Sequence, residues 1–426
     1  MFTAYAAARL AGWGRPVRHD EESPLTANLA RTGVSVVIPS RNGQALLEAQ
    51  LPGIAADLAA VAGEIVVVDN GSSDGTVEWL RDAWPQIAID VSAEPLSFAS
   101  AVNRGIRCAR FSHVCLLNND MQIEPGFFAA LLNAFRTVPE LFCATAQIRF
   151  PAGVRREETG KAVMAQAAPE DFPVRCDEPV DGEDGTWVLY GSGGCSAYDA
   201  AMLRALGGVD EAYAPAYVED LDLGYRAWLR GWPSVYVAGA VVEHRHRATT
   251  SRYYSEEQLA AILEINYLKF LARAVAGPRV FRRLWRQALR RLRLRAASDP
   301  AARAALGAAA RLVLAGGPAR GPARREESLL ALTDGSVACF PGRARSGKPP
   351  ALVTVRGWDC VPAASDRNSG AVLLVRVGQL EPPPAHLLVR YAEIVEARTD
   401  AAFDAAAPWI RRKWYRADPP LPPRLA

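Results

Sequence analysis

The 426-residue sequence contains no run of eighteen apolar residues, so no helix is expected to span a membrane. Its seven cysteines (108, 115, 143, 176, 195, 339 and 360) include no C-x-x-C pair, and several sit inside apolar runs. That pattern excludes a disulfide framework and a zinc ribbon, and points to buried thiols in a reducing compartment. Net charge is only +3, too small to draw the whole protein to nucleic acid, and no nucleic-acid partner is expected. The first ten residues lack the charged n-region and long apolar core of a signal peptide, which leaves the cytoplasm as the expected location.

What is present is a globular composition, half of it apolar, in a chain long enough for two or three domains. Residues 1–32 carry no sustained period and read as an extension. From Val34 onward, apolar runs of strand length alternate with helical patterns. Val34–Ile38 stops at Pro39-Ser40-Arg41-Asn42-Gly43. Glu64–Val68 stops at Asp69-Asn70-Gly71-Ser72-Ser73-Asp74-Gly75, and Val114–Leu117 at Asn118-Asn119-Asp120. Alternation of this kind gives an α/β fold with a mostly parallel sheet covered by helices. The strands are almost continuously hydrophobic, as strands buried on both faces are. The three polar clusters then leave the sheet at one edge, where ligands bind in open α/β folds.

Further strands are expected at Thr145–Phe150, Trp187–Tyr190 and Ser234–Val242, with Glu243-His244-Arg245-His246 following the last. Residues 151–185 are polar and irregular. Gly191-Ser192-Gly193-Gly194 permits close backbone approach, and Glu219-Asp220-Leu221-Asp222 opens a helix whose positive end favours acids. A helix over Ser255–Val275 begins with the capping pair Ser255 and Gln258. Residues 279–295 form a basic amphipathic helix, followed by an Ala/Gly/Pro/Arg-rich linker to about Glu327. Beyond it, short apolar runs suggest a small α/β piece.

Four segments in this order resemble the inverting family 2 glycosyltransferases of the GT-A fold, and within them the bacterial rhamnosyltransferase-like branch. They are Val34–Pro39, Ile65–Thr76, Leu116–Asp120 and Glu219–Arg226. The resemblance covers roughly residues 34–275, so the GT-A domain is placed at 33–275, a basic helical segment and linker at 276–326, and the small piece at 327–426. That last piece faintly resembles the truncated start of a GT-B-like domain.

The resemblance implies a nucleotide-sugar donor of the UDP or dTDP type, a glycan or lipid-linked acceptor, and Mg²⁺ or Mn²⁺, ions that suit carboxylate and phosphate oxygens. It implies Asp120 as metal ligand, with Asn118 standing where the family's D-x-D element has its first acid, and His244 as a second ligand, with His246 competing. Asp69 and Asp74 would bind the nucleotide, in a pocket lined by Pro39, Ser40 and Arg41, though helix capping could equally explain Asp74. Arg104 would reach the diphosphate and Asn103 would fix its loop. Gly193 and Gly194 would admit the donor sugar. Asp220 would be the general base, Glu219 its alternative, and Asp222 would orient its helix or Arg226.

Two rivals remain at this point. A sugar nucleotidyltransferase would need a Gly/Arg/Lys-rich signature after the first strand, which Pro39-Ser40-Arg41-Asn42 lacks. A silent sugar-binding module would have no need of intact Asp69, Asp120 and Asp220. Gly342–Lys348 spells most of a P-loop, but Pro349 replaces its hydroxyl residue, and Asn70-Gly71-Ser72 is a sequon in spelling only. The basic helix could dock on the inner face of the cell membrane, which would suit a lipid-linked acceptor.

Overall fold

The computed structural model describes residues 31–138, 140–151, 162–164, 174–176, 187–230, 232–244, 253–275, 278–315, 337–340, 361–362, 372–376 and 393–397. The N-terminal extension, the P-loop-like stretch and His246 lie outside them. The β-branched run near the start forms β1 (Arg31–Ser40). Then come α1 (Gln44–Leu58), β2 (Gly63–Asn70), α2 (Thr76–Ala83), β3 (Ala88–Ser92), α3 (Phe98–Cys108) and β4 (Phe111–Leu117). β2, β1 and β4 pair in parallel, with Ser40 opposite Asp69 and Val37 opposite Leu116.

Alternation along each strand divides the core between two faces. Val34, Val36 and Ile38 point to one side, where Leu47, Leu51 and Ile54 of α1 meet them at helical spacing. Val37, Val66 and Val68 point to the other, under Ala101, Val102 and Ile106 of α3. Each fully buried Leu or Ile contributes about 2 kcal/mol here.

After β4 the chain makes a short turn into β5 (Met121–Ile123), then α4 (Phe127–Thr137) and β6 (Cys143–Arg149). A two-stranded antiparallel piece, β7 (Ala162–Met164) and β8 (Val174–Cys176), falls within the stretch expected to be irregular. β9 (Trp187–Val188), β10 (Cys195–Asp199), α5 (Ala200–Ala205), α6 (Glu219–Leu229) and β11 (Ser234–His244) complete the domain. The large sheet runs β3-β2-β1-β4-β10-β6-β11-β5, with β9 also on β11. β10 is antiparallel to both neighbours, which makes the sheet mixed beyond β4. β11 is two residues longer than expected. Its C-terminal end stays in register with β5, so Glu243 lies opposite Gln122 and His244 opposite Met121.

α7 (Glu256–Ala274) starts with the expected capping box: Ser255 N–H donates to Gln258 Oε1 (2.8 Å) and Gln258 N–H to Ser255 Oγ (3.2 Å). α8 (Pro278–Arg295) is the basic helix. In place of the linker expected after it stands α9 (Pro300–Ala315), whose alanines pack against α7 and α8. Alanine-rich sequence reads as low complexity, yet it is the best helix former. The apolar side of α8 (Phe281, Leu284, Trp285, Ala288, Leu292) is buried within this trio, so it does not insert into a bilayer. At its centre Glu264 receives both terminal nitrogens of the buried Arg291 and, at 2.6 Å, Arg295. β12 (Val337–Phe340), β13 (Val361–Pro362), β14 (Val372–Arg376) and β15 (Glu393–Ala397) form a separate all-parallel sheet, the pairing that crossover connections produce.

Glu264→Ala would take from the buried Arg291 the carboxylate that both its terminal nitrogens meet. It is expected to lower the unfolding free energy by about 3–5 kcal/mol, whereas Arg295→Ala, on a partly exposed side chain, costs under about 1 kcal/mol. Urea unfolding of both variants measures the contrast.

Candidate active site

The parallel strands deliver Ser40, Asp69 and Asn118 to one edge, and short polar bonds then join their loops. Asn119 Nδ2 donates to Ser40 Oγ at 2.9 Å. A Cβ on Gly43 would fall 2.4 Å from that hydroxyl and 2.5 Å from Asn119 Nδ2, so only glycine lets the loops close. Gln50, buried in α1, donates from Nε2 to Asn118 O and Met121 O, each at 2.6 Å, and pins the turn that carries Asp120. Asn42 N–H donates to Ser72 Oγ (2.8 Å), and Ser73 N–H to Asn42 Oδ1 (2.7 Å), tying the β1 loop to the β2 loop.

Asp69 is buried. Its Oδ2 accepts Ser72 N–H at 3.2 Å, and its Oδ1 has no partner among the described residues. Asp120 is buried too, with Oδ1 making no hydrogen bond among the described residues and His244 Nε2 at 3.5 Å. The β5–β11 register creates this pair: Asp120 immediately precedes Met121, and Met121 faces His244.

The loop before β10 links this edge to α6. Asn118 N–H donates to Gly194 O at 2.8 Å, and a Cβ on Gly194 would lie 2.5 Å from Asn118 Nδ2. Gly193 N–H donates to Asp220 Oδ2 at 3.4 Å, and Leu221 N–H to Oδ1 at 2.8 Å. Tyr217 and Val218, just before the acids, both adopt positive φ (72° and 79°), a strained conformation for a β-branched residue. Asn266 of α7 holds this turn, donating from Nδ2 to Tyr213 O (2.7 Å), Ala216 O (2.8 Å) and Tyr217 O (3.2 Å). Glu219 is buried with Oε2 unpartnered among the described residues. Burial first, and the neighbouring Asp220 second, push its carboxyl up to about 8. Asp222 accepts from Arg226 (2.7 Å) and Tyr213 (3.2 Å), the orienting pair the sequence suggested.

Two residues go elsewhere. Arg104, expected at the diphosphate, instead forms a bidentate pair with Asp90 of β3 (2.5 and 2.6 Å) and donates to Val91 O. A strand-edge carboxylate within reach of the α3 guanidinium captures it. Asp74 accepts from Gln44 N–H (3.3 Å) and from Thr76 N–H (3.1 Å) and hydroxyl, so both of its oxygens serve the starts of α1 and α2. Burial raises its pKa, but these bonds outweigh that and bring it below the usual range. Asn103 holds not its own loop but the one at Val209, donating to its carbonyl (2.8 Å) and accepting its N–H (2.9 Å). Pro39 is half-buried near the end of β1, and Arg41 lies over the Tyr253 ring, 4.1 Å from its centroid.

Residues 30–260, more than half of the chain, match the model of the family described as glycosyltransferase like family 2. The chain belongs to that family. Its α/β sheet is accordingly of the GT-A class, and the protein is a glycosyltransferase. It is 30% identical over 254 residues to N-acetylglucosaminyl-diphospho-decaprenol L-rhamnosyltransferase of Mycobacterium tuberculosis, covering 53% of this chain and 78% of the relative. It is 28% identical over 223 residues to validoxylamine A glucosyltransferase of Streptomyces hygroscopicus subsp. jinggangensis, covering 47% and 52% respectively. Among solved structures it is similar to a mannosyltransferase of Pyrobaculum calidifontis in complex with GDP-Man and Mn²⁺. That match has a TM-score of 0.42 and 19% identity, and covers 74% of this chain and 91% of that one.

Within this glycosyltransferase, sequence reasoning missed Gln50, Asn119, Tyr253 and Asn266. Gln50 had a signal: it is a polar residue on the apolar stripe of Leu47, Leu51 and Ile54. Asn266 had the same signal among the buried residues of α7.

Because the folded state keeps Glu219 protonated to a higher pH than the unfolded chain does, it binds more protons between about 4.5 and 8. This contribution to stability is full below the unfolded value and is lost as pH rises through the folded one. Glu219→Gln is expected to flatten that decline, so that the variant gains stability over the parent at pH 8–9 and not at pH 4.5. Thermal unfolding across pH measures it.

Proposed function

We propose that this glycosyltransferase moves a hexosyl or deoxyhexosyl group from a UDP or dTDP sugar to a hydroxyl of a polysaccharide or glycolipid acceptor, with inversion and with help from Mg²⁺ or Mn²⁺. The observation that carries the reading is the set of buried carboxyl oxygens gathered at one sheet edge and the start of α6, Asp69 Oδ1, Asp120 Oδ1 and Glu219 Oε2, none hydrogen-bonded among the described residues. Buried polar atoms ordinarily find partners, so oxygens left open in this way suit a ligand that brings donors or a cation.

Asp69 accepts hydrogen bonds from the base or ribose, beside Pro39, Ser40 and Arg41. Asp120 and His244 fit a divalent cation: a buried carboxylate oxygen and an imidazole nitrogen, 3.5 Å apart, form a donor set that Mg²⁺ or Mn²⁺ accepts. These two side chains would hold the cation from the protein side, and phosphate oxygens of the donor would supply further ligands. When bound, the cation supplies positive charge to the diphosphate. Asp220 takes the proton of the acceptor hydroxyl as its oxygen attacks the anomeric carbon. Gly193 N–H holds the Asp220 carboxylate in place. Glu219, kept neutral by burial, adds no second negative charge beside it.

The Mycobacterium relative, whose name specifies a diphospho-decaprenol acceptor, supports a lipid-linked acceptor here. No described helix is long and apolar enough to cross a membrane. Peripheral contact at an anionic surface is assigned to the exposed side of α8, where Arg283, Arg286, Arg290 and Arg293 share one helix that has no acidic residue.

Nucleotide release from UDP and dTDP sugars, with and without Mn²⁺, tests the reading. Asp220→Asn is expected to lower kcat by about 10²–10⁴-fold with donor affinity unchanged, and Asp120→Ala to weaken Mn²⁺-dependent donor binding. Absence of release with every donor, together with donor binding by Asp120→Ala equal to that of the parent, would falsify it.

A further inference from the structure

We propose that Tyr253 is a positioning residue of the donor site, holding Arg41 so that its guanidinium meets the donor's diphosphate; this rests on the nucleotide-sugar reading above. The departing diphosphate concentrates negative charge, and a basic side chain beside the metal position would offset it. Arg104 is held by Asp90, so the role falls to another cation. Arg41 is the basic residue of the loop after β1. It lies between Ser40, which is bonded to Asn119 beside Asp120, and Gly43, which is packed on the same amide.

Its guanidinium carbon sits 4.1 Å from the centroid of the Tyr253 ring. Its Nε is buried and has no hydrogen-bond acceptor among the described residues. A guanidinium stacked by one face on an aromatic ring keeps its planar fork of N–H donors for a bidentate anion, and phosphate oxygens match that fork.

Tyr253 fixes the loop as well as the charge. Its hydroxyl accepts from Asn42 Nδ2 at 3.2 Å. Asn42, at φ 49°, also holds Ser72 and Ser73 in the loop that follows Asp69. One ring from a residue 211 positions away from Asn42 therefore restrains two consecutive residues of the donor loop. Arg41 arrives at the ligand already ordered, and less rotamer entropy is lost on binding.

Calorimetric titration of the full chain with UDP and with uridine, both with Mn²⁺ present, tests the proposal. Tyr253→Ala is expected to weaken UDP binding about tenfold, and Tyr253→Phe, which keeps the ring, to stay within about threefold of the parent. Uridine, lacking phosphate, should lose clearly less affinity than UDP does in Tyr253→Ala, because it feels only the loop and not the charge. Arg41→Ala should weaken UDP binding in the parent and add little in the Tyr253→Ala background, since the two side chains act as one unit. UDP binding by Tyr253→Ala equal to that of the parent, or equal proportional losses for UDP and uridine, overturns the proposal and leaves the donor reading standing. A parent that binds neither UDP nor dTDP overturns both.

Discussion

Parallel pairing of β1 with β2 and β4 is the constraint on which the rest of the site depends. Parallel neighbours end at the same edge, so the polar loops after them cannot scatter. Ser40 opposite Asp69 brings the β1 and β2 loops together, and the turn after Leu117 brings Asp120 beside them. Once that edge exists, single bonds suffice to close it: Ser40 to Asn119, Gln50 to the Asn118–Met121 turn, Asn42 to Ser72. The mixed half of the sheet adds what parallel strands alone could not. β10 enters antiparallel and starts beside Asn118, and β5 folds back along β11 to set His244 against Asp120.

The edge is held against its own electrostatics. Asp69, Asp120 and Glu219 are acids buried where water would otherwise solvate them. A fold selected for stability alone would pair or replace them, since a buried polar group without a partner costs on the order of 1–3 kcal/mol. The strain at Tyr217 and Val218 belongs to the same account, because it aims the two acids that follow. Rigid elements on every side offset these costs, with valines and leucines on both faces of the sheet and the Glu264–Arg291 pair joining the outer helices.

Much of this was legible in the sequence, because buried strands, turn residues and acids leave local marks. The β1, β2 and β4 runs, the helix after Ser255 and the Asp222–Arg226 pair all follow from short-range pattern. What was not legible depended on contacts across long sequence distances. Nothing near Arg104 reveals that Asp90 captures it, since the pairing requires α3 to cross β3. Asp74 was ambiguous because a carboxylate before a helix can cap it or bind a ligand, and only Thr76 and Gln44 in place decide between the two. The α9 helix was hidden by composition, its alanines and glycine reading as a linker until a packing surface gave them a role.

The turn before Glu219 also bears on where the catalytic unit ends. The family match stops at residue 260, six positions short of Asn266, whose amide holds the strained turn through three carbonyls. A chain cut at the family boundary would keep every acid of the site and lose the side chain that aims two of them. Asn266 is itself seated in a helix locked to α8 and α9 through Glu264. By this measure the smallest unit that preserves the site geometry includes those outer helices, and its boundary is set by mechanical support for the acids rather than by sequence kinship.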